Sequence, residues 1–214
     1  MNPVIRRTVG IVDVKFGANV TVVEPANLYG CDIGDETFIG PFVEIQKGAT
    51  IGKRCRIQSH SFICDLVTIG DDCFISHGAM FVNDLFVTGG PAGKPELWRS
   101  TKLGNHVSVG TNATILPVTI CDLVTIGDDC FISHGAMFIN DLFVTGGPAG
   151  KPELWRSTKL GNHVSVGTNA TILPVTICDH VIIGAGAVVT KDVTVSGIYA
   201  GNPARLLRRL PVAP

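Results

Sequence analysis

Aromatic side chains are scarce in this 214-residue chain, at 7% of the total with only two Trp and two Tyr. Forty-five per cent of the residues are nevertheless hydrophobic, so the core must be stacked from Ile, Val and Leu rather than from rings. Charge is also sparse, at 16% with a formal net of −1, and the sole basic run is Arg205 to Arg209. Such a balance does not point to a nucleic-acid partner. No apolar stretch opens the chain, and no uninterrupted apolar run reaches about 20 residues, so neither a secretory leader nor a membrane span is read and a cytoplasmic protein is expected. Seven cysteines look like many, but Cys64, Cys121 and Cys178 are one position written three times, and Cys73 recurs as Cys130. Small buried thiols in a reducing compartment are expected in place of disulfides or a metal centre.

What the chain has in abundance is repetition. Residues 64–120 recur at 121–177 with 56 of 57 positions identical, the one change being Val82 to Ile139. Such closeness marks a recent or deliberate copying. Less the extra 57 residues, 157 would remain, an ordinary single domain.

A finer period runs through both copies. Ile33, Ile39, Ile45, Ile51, Ile57, Ile63, Ile69, Ile75 and Phe81 stand six apart, each followed four positions later by a small or β-branched residue such as Thr37, Val43, Ala49 or Cys55. The same beat runs loosely through Phe16, Val22 and Leu28 before slipping one residue to Ile33. A helix repeats near 3.6 and a simple strand at 2, so a sustained six fits neither alone. It fits short strands joined by tight turns, three to a coil, each large residue stacking on its equivalent eighteen positions on. The fold expected is all-β, a parallel β-helix with a core continuous from coil to coil.

The beat stops twice. Residues 83–102, rich in Gly and Pro and carrying Trp98, form one excursion; residues 140–159, with Trp155, form the other. Loops of that length in compact domains are usually functional. After Val195 the segment 201–214 places Leu206, Leu207 and Leu210 at helical spacing behind Pro203, so a short C-terminal helix capping the open coil is expected. One solenoid domain over 1–214 is the expected organisation. Seven large-residue starts separate Ile63 from Ile120, which would turn the second copy by one face; six would stack the copies in register. The residues leave that choice open.

Three stretches resemble the hexapeptide-repeat acyltransferases: hexads of the type IGDDCF and IGKRCR, the segment VIIGAGAVVTKDV (181–193), and the ending GNPAR (201–205). Within that group CRIQSH…ISHGAMFVND is most similar to the nucleotide-sugar N-acetyltransferases. The resemblance implies a left-handed coil, against the usual crossover rule, a homotrimer, and acetyl-CoA as acyl donor with no metal. It also implies a UDP- or dTDP-linked 3-amino sugar as acceptor, for surface polysaccharide. The donor is expected beside Ala185, Gly186, Ala187, Lys191 and Arg205.

His77 and His134, in the two ISHGAMF segments, are the candidate catalytic residues, as general base or as an orienting donor near the amine. A histidine on an outward turn is the plainer alternative. Asn83 and Asn140 open the excursions, where the resemblance implies a sugar anchor and a backbone-bonding loop Asn is the alternative. Asp84 and Asp141 adjoin them. Many relatives carry a catalytic His in the second hexad after the loop; here that place holds Asn112 and Asn169, and a neutral amide cannot act as the base. His60, His77 and His106 invite a zinc reading, but they lack the close histidine pair after the loop that such a site uses. The two Trp residues either line a cleft or pin their loops to the wall.

Aligning the coil after copy one with the original ending puts Asp128, Asp129 and Cys130 where Ala185, Gly186 and Ala187 stand. Two carboxylates there would repel an anionic donor. Copy two is therefore expected to keep donor binding and copy one more of the sugar site. The rival reading is a lengthened structural β-helix, catalytically impaired or engineered.

Overall fold

The computed structural model describes residues 10–83, 98, 100–115, 124–139 and 157–210. Among them all regular structure is strand, in three sheets of nine, eight and ten strands. Sheet A includes Glu44–Ile45, Phe62–Ile63, Met80–Phe81, Thr114–Ile115 and Met137–Phe138. Sheet B includes Thr50–Ile51, Val67–Ile69, Thr101–Leu103, Val124–Ile126 and Lys159–Leu160. Sheet C includes Arg56–Ile57, Phe74–Ile75, Ser108–Val109, Phe131–Ile132 and Ser165–Val166. The chain visits B, C and A in turn and pairs in parallel with the coil before it, as in Phe62↔Glu44 and Ile63↔Ile45. This is the parallel β-helix that the six-residue beat predicts.

The hexad works because two-residue strands alternate outward and inward. The second residue of each pair points in, so Ile39, Ile45, Ile51, Ile57, Ile63 and Ile75 are fully buried. Each contributes about 1.5–3 kcal/mol by leaving water. The small slot does more than save space. Cys55 Sγ donates to Gly70 O at 3.1 Å and Ser61 Oγ to Ser76 O at 3.0 Å, tying each coil to the next. Burial pushes the Cys64 thiol up to about 12 and those of Cys31 and Cys130 up to about 11, which keeps them protonated.

The two copies stack in register. Ile69 and Ile126 both lie in sheet B, Ile75 and Ile132 in sheet C, Phe81 and Phe138 in sheet A. From Ile115 in sheet A the next described face is Val124–Ile126 in sheet B, so each copy contributes six faces, two whole coils. The equivalents of Asp128 and Asp129 in the register are therefore Asp179 and His180, not Ala185 and Gly186. The expected clash of carboxylates with the donor at that place is overturned.

The turns joining sheets B and C carry a polar column. Asp71 Oδ1 accepts from Lys53 N, Asn105 Oδ1 from Asp71 N, Asp128 Oδ1 from Asn105 N and Asn162 Oδ1 from Asp128 N, at 2.6–2.9 Å. Beside it Arg54 holds Asp72 through two bonds of 2.8 Å. His106 lies 3.5 Å from Asp72 and 3.3 Å from Asp129, His163 lies 3.6 Å from Asp129, and the His163 ring stacks on His180 at 4.6 Å.

The expected C-terminal helix is absent. Gly197–Ala200 extends sheet C, the chain turns through 201–204, and Arg205–Arg209 returns antiparallel beside it. The edge of the last coil offers unpaired N–H and C=O groups that a returning strand satisfies and a helix would not. Leu206 and Leu207 accordingly remain exposed rather than forming a buried stripe.

Candidate functional site

The turns between sheets C and A stack into a second corner, which positions both candidate histidines. Reading upward through successive coils, the first column is Ser59, His77, Thr111, His134, Thr168 and Ala185; the second is His60, Gly78, Asn112, Gly135, Asn169 and Gly186. Backbone bonds set this order: Gly78 N donates to Ser59 O at 3.0 Å, Asn112 N to His77 O at 3.0 Å, and Asn169 N to His134 O at 2.9 Å. Strands in neighbouring coils lie about 4.8 Å apart, so His77 and His134 are about 10 Å apart along the corner.

The two histidines are not equivalent. His77 Nδ1 lies 2.8 Å from Ser59 Oγ, a bond that fixes the imidazole plane. Beneath His134 stands Thr111, whose Oγ1 is 2.9 Å from Ser76 Oγ, and among the described residues the His134 ring has no hydrogen-bond partner. The repeated Ser133–Thr168 pair at 2.9 Å shows that the rest of the corner is copied faithfully. Gly78 and Gly135 turn at φ of 66° and 63°, where an added Cβ would collide with Oδ1 of Asn112 or Asn169. Asn112 and Asn169 therefore sit beside the histidines, at φ of 55° and 56°.

Asn83 stands at the next corner, where the chain leaves sheet A. It is buried, its Nδ2 donating to Asp65 O at 3.4 Å, and burial raises the Asp65 carboxyl above the ordinary range against the pull of Lys47. The structure thus sets His77 and Asn83 at opposite edges of sheet A in one coil. Met80, 44% exposed, and the half-buried Phe62 form the surface between them. Asp84, Asn140, Asp141 and Trp155 lie outside the described residues; Trp98 is half-buried. His60 shares the corner of His77, whereas His106 belongs to the corner between sheets B and C.

The expected donor residues divide. Lys191 and Arg205 come together around a recess of about 310 Å³, lined also by Tyr199, Asp192 and Leu206. Two cations at one recess suit the phosphates of a coenzyme A. Ala185 and Gly186 are exposed at the corner above Thr168, across sheet A from Lys191, and a Cβ on Gly186 would meet nothing within 4 Å. Ala187 is fully buried, so it can offer only its backbone. Two partners escaped the sequence reading: Ser59 below His77, and Phe42 below His60, whose rings stack at 4.9 Å. Each pair is eighteen residues apart, the coil length, and that spacing was the signal.

Two segments match known repeat families: residues 30–65 fit the bacterial transferase hexapeptide (six repeats), and 158–191 the hexapeptide repeat of succinyl-transferase. Among curated proteins, the bifunctional protein GlmU of Latilactobacillus sakei is 28% identical over 98% of this chain and 47% of its own length. GlmU of Mycobacterium ulcerans is 29% identical over 91% and 41%. The chain spans less than half the length of these curated relatives. Among solved structures, the UDP-N-acetylglucosamine acyltransferase of Francisella novicida superposes with a TM-score of 0.60 at 20% identity, covering 82% of this chain and 56% of that one. AntD, an N-acyltransferase from Bacillus cereus solved with dTDP and coenzyme A, gives 0.53 at 17% identity, over 93% and 85%. These likenesses are of fold, the left-handed parallel β-helix, and the hexapeptide resemblance holds over 30–65 and 158–191.

Proposed function

We propose that this hexapeptide-repeat β-helix is an acyltransferase that moves an acetyl group from acetyl-CoA to the amine of a UDP- or dTDP-linked 3-amino sugar, in the cytoplasm, for surface polysaccharide. The observation that carries the reading is the oriented His77, held at 2.8 Å by Ser59 at one edge of an outward sheet whose other edge is Asn83. The transferase descriptions of the two matched repeat families support the reaction class. The sugar nucleotide and the coenzyme are carried over from the resemblance and from the ligands of AntD.

The chemistry asks little more than this. The amine nitrogen attacks the thioester carbonyl, a C–N bond forms, and collapse of the tetrahedral adduct breaks C–S. His77 Nε2 takes the amine proton and passes it to the departing thiolate, leaving amide and free coenzyme thiol. For Nε2 to accept, Nδ1 must carry the ring hydrogen and donate to Ser59 Oγ, which fixes the tautomer. Asn83 would anchor the sugar, and Lys191 with Arg205 would take the donor's phosphates. Asp84, Asn140 and Asp141 stay in the proposal as sugar contacts. A homotrimer belongs to the same reading, for which the exposed Phe74, Phe131 and Ile182 on sheet C offer an apolar face.

That the His134 ring has no hydrogen-bond partner among the described residues favours a second reading, a lengthened and catalytically impaired solenoid. Both are tested by incubating the chain with acetyl-CoA and a UDP- or dTDP-linked 3-amino sugar and following the acetylated product by mass spectrometry. Product is expected, with His77→Ala slower by on the order of 10²–10⁴. Product only after deletion of residues 64–120 would establish the impaired reading. Product from neither chain, without binding of acetyl-CoA, would end the acyltransferase proposal.

A further inference from the structure

We infer that the exposed ring of Phe42, backed by His60, is the stacking platform for the pyrimidine base of a nucleotide-linked substrate, and that the chain has one such platform for its two candidate histidines. The inference rests on the acyltransferase reading and gives it a nucleotide subsite.

Phe42 is 58% exposed, and its backbone turns at φ of 59°. A bulky residue with positive φ is an outlier. The residues in the same place on later coils are His60, Gly78, Asn112, Gly135, Asn169 and Gly186, which are Gly, Asn or His, the types that tolerate that conformation. Glu36, Arg54 and Leu66 share the conformation at other turns, so it belongs to the coil; what sets Phe42 apart is an exposed aromatic ring at a corner whose later coils carry His, Gly or Asn, and that points to a use for the ring. Its upper face is already occupied: the His60 ring of the next coil lies 4.9 Å away at 27°, which leaves the lower face of Phe42 presented as a flat, fixed surface.

Beneath it opens a recess of about 330 Å³, lined by Pro25, Ala26, Asn27, Phe42, Val43 and Glu44. That is within the volume range of small-molecule sites. Its lining is largely apolar, with two polar groups that match a pyrimidine edge. Glu44 is steadied by Gln46 Nε2 at 3.0 Å and Tyr29 Oη at 3.4 Å, and its carboxylate suits the imide N–H of uracil or thymine. The Asn27 amide can pair with a ring carbonyl.

Position ties the recess to the chemistry. Phe42 lies two coils below Gly78, about 10 Å from the turn that carries His77, which suits a base separated from its hexose by a ribose and a diphosphate. Two coils below Gly135, where the second copy would need the same ring, stands Gly78. The copying duplicated the histidine and left the platform single.

The test is calorimetry with UDP and with dTDP on the full chain, Phe42→Gly and Phe42→Trp. One site per chain is expected. Phe42→Gly should weaken it about tenfold or more, the range of base–aromatic stacking, while its melting temperature stays level or rises because the turn relaxes. Phe42→Trp should hold affinity within a few-fold. Unchanged affinity in Phe42→Gly, two sites per chain, or no binding of either nucleotide overturns the inference. If the affinity is unchanged and acetyl transfer still proceeds, the platform is wrong and the acyltransferase reading stands. If the nucleotide binding depends on Phe42 but acetyl-CoA does not bind, the platform stands and that reading falls.

Discussion

Replacing Thr37 by Val should cost more stability than its size suggests. Thr37 is fully buried in the small slot; its Oγ1 donates to Gly52 O at 2.9 Å and accepts from Cys55 N at 3.0 Å. Valine has the same shape, so no cavity opens and the packing term is near zero. What changes is that a buried N–H and a carbonyl lose their partner. An orphaned buried N–H costs about 1–3 kcal/mol and the carbonyl adds to it, so about 2–4 kcal/mol in all is expected. For a chain of this size that is a fall in melting temperature of roughly 5–15 °C. Thr37→Ser keeps both bonds and removes one methyl, for about 1 kcal/mol. Thermal and denaturant unfolding of the two variants side by side decides the matter. If Val is no worse than Ser, the slot selects for volume alone and the hydrogen-bonding account of coil-to-coil linkage is wrong.

Gly78→Ala and Gly135→Ala meet the same left-handed turn and the same Asn oxygen, so each should cost about 1–3 kcal/mol. Their costs should agree and add within about 0.5 kcal/mol in unfolding titrations; a large inequality would mean the copies are not structural equivalents. Ser59→Ala should lower kcat about tenfold with KM nearly unchanged, the worth of one orienting hydrogen bond, and His134→Ala should cost far less than His77→Ala in the same steady-state assay. Arg54 holds the Asp72 carboxyl below the ordinary carboxylate range, through its hydrogen bonds and then its charge. The stabilisation it brings is complete above about pH 4 and is lost as pH falls through the depressed value. The deficit of Arg54→Gln in melting temperature should therefore be present at pH 7 and shrink in acid; a deficit that grows in acid would contradict the pairing.

The coil was legible because one side chain in six carries its whole signal: Ile39, Ile45 and Ile51 announce three faces before any contact is known. The copies' register was not, because Ile120 has the look of a face-starting residue, yet the next described face after Ile115 begins at Val124. Nothing in the hexad beat separates those possibilities. The chain end misled for another reason. Leu206, Leu207 and Leu210 have helical spacing, but the open edge of Gly197–Ala200 offers backbone partners that outweigh a three-leucine pattern. In the site, His77 was found from its residue type, whereas Ser59 and Phe42 are ordinary by type. They become visible only when residues eighteen apart are read as neighbours.

The corner between sheets B and C also says which insertions this solenoid can accept. Along it Asp72, His106, Asp129 and His163 alternate acceptor with potential cation, and the alternation has a wavelength of two coils. A graft of two coils therefore meets complementary chemistry at each internal seam, and a third copy would set another Asp against His163 in place of His180. A graft of one Asp-bearing coil would instead bring carboxylate against carboxylate, whereas imidazole already stacks on imidazole where His163 meets His180. The faces set length in whole coils, and this corner adds a preference for pairs wherever the inserted coil carries Asp.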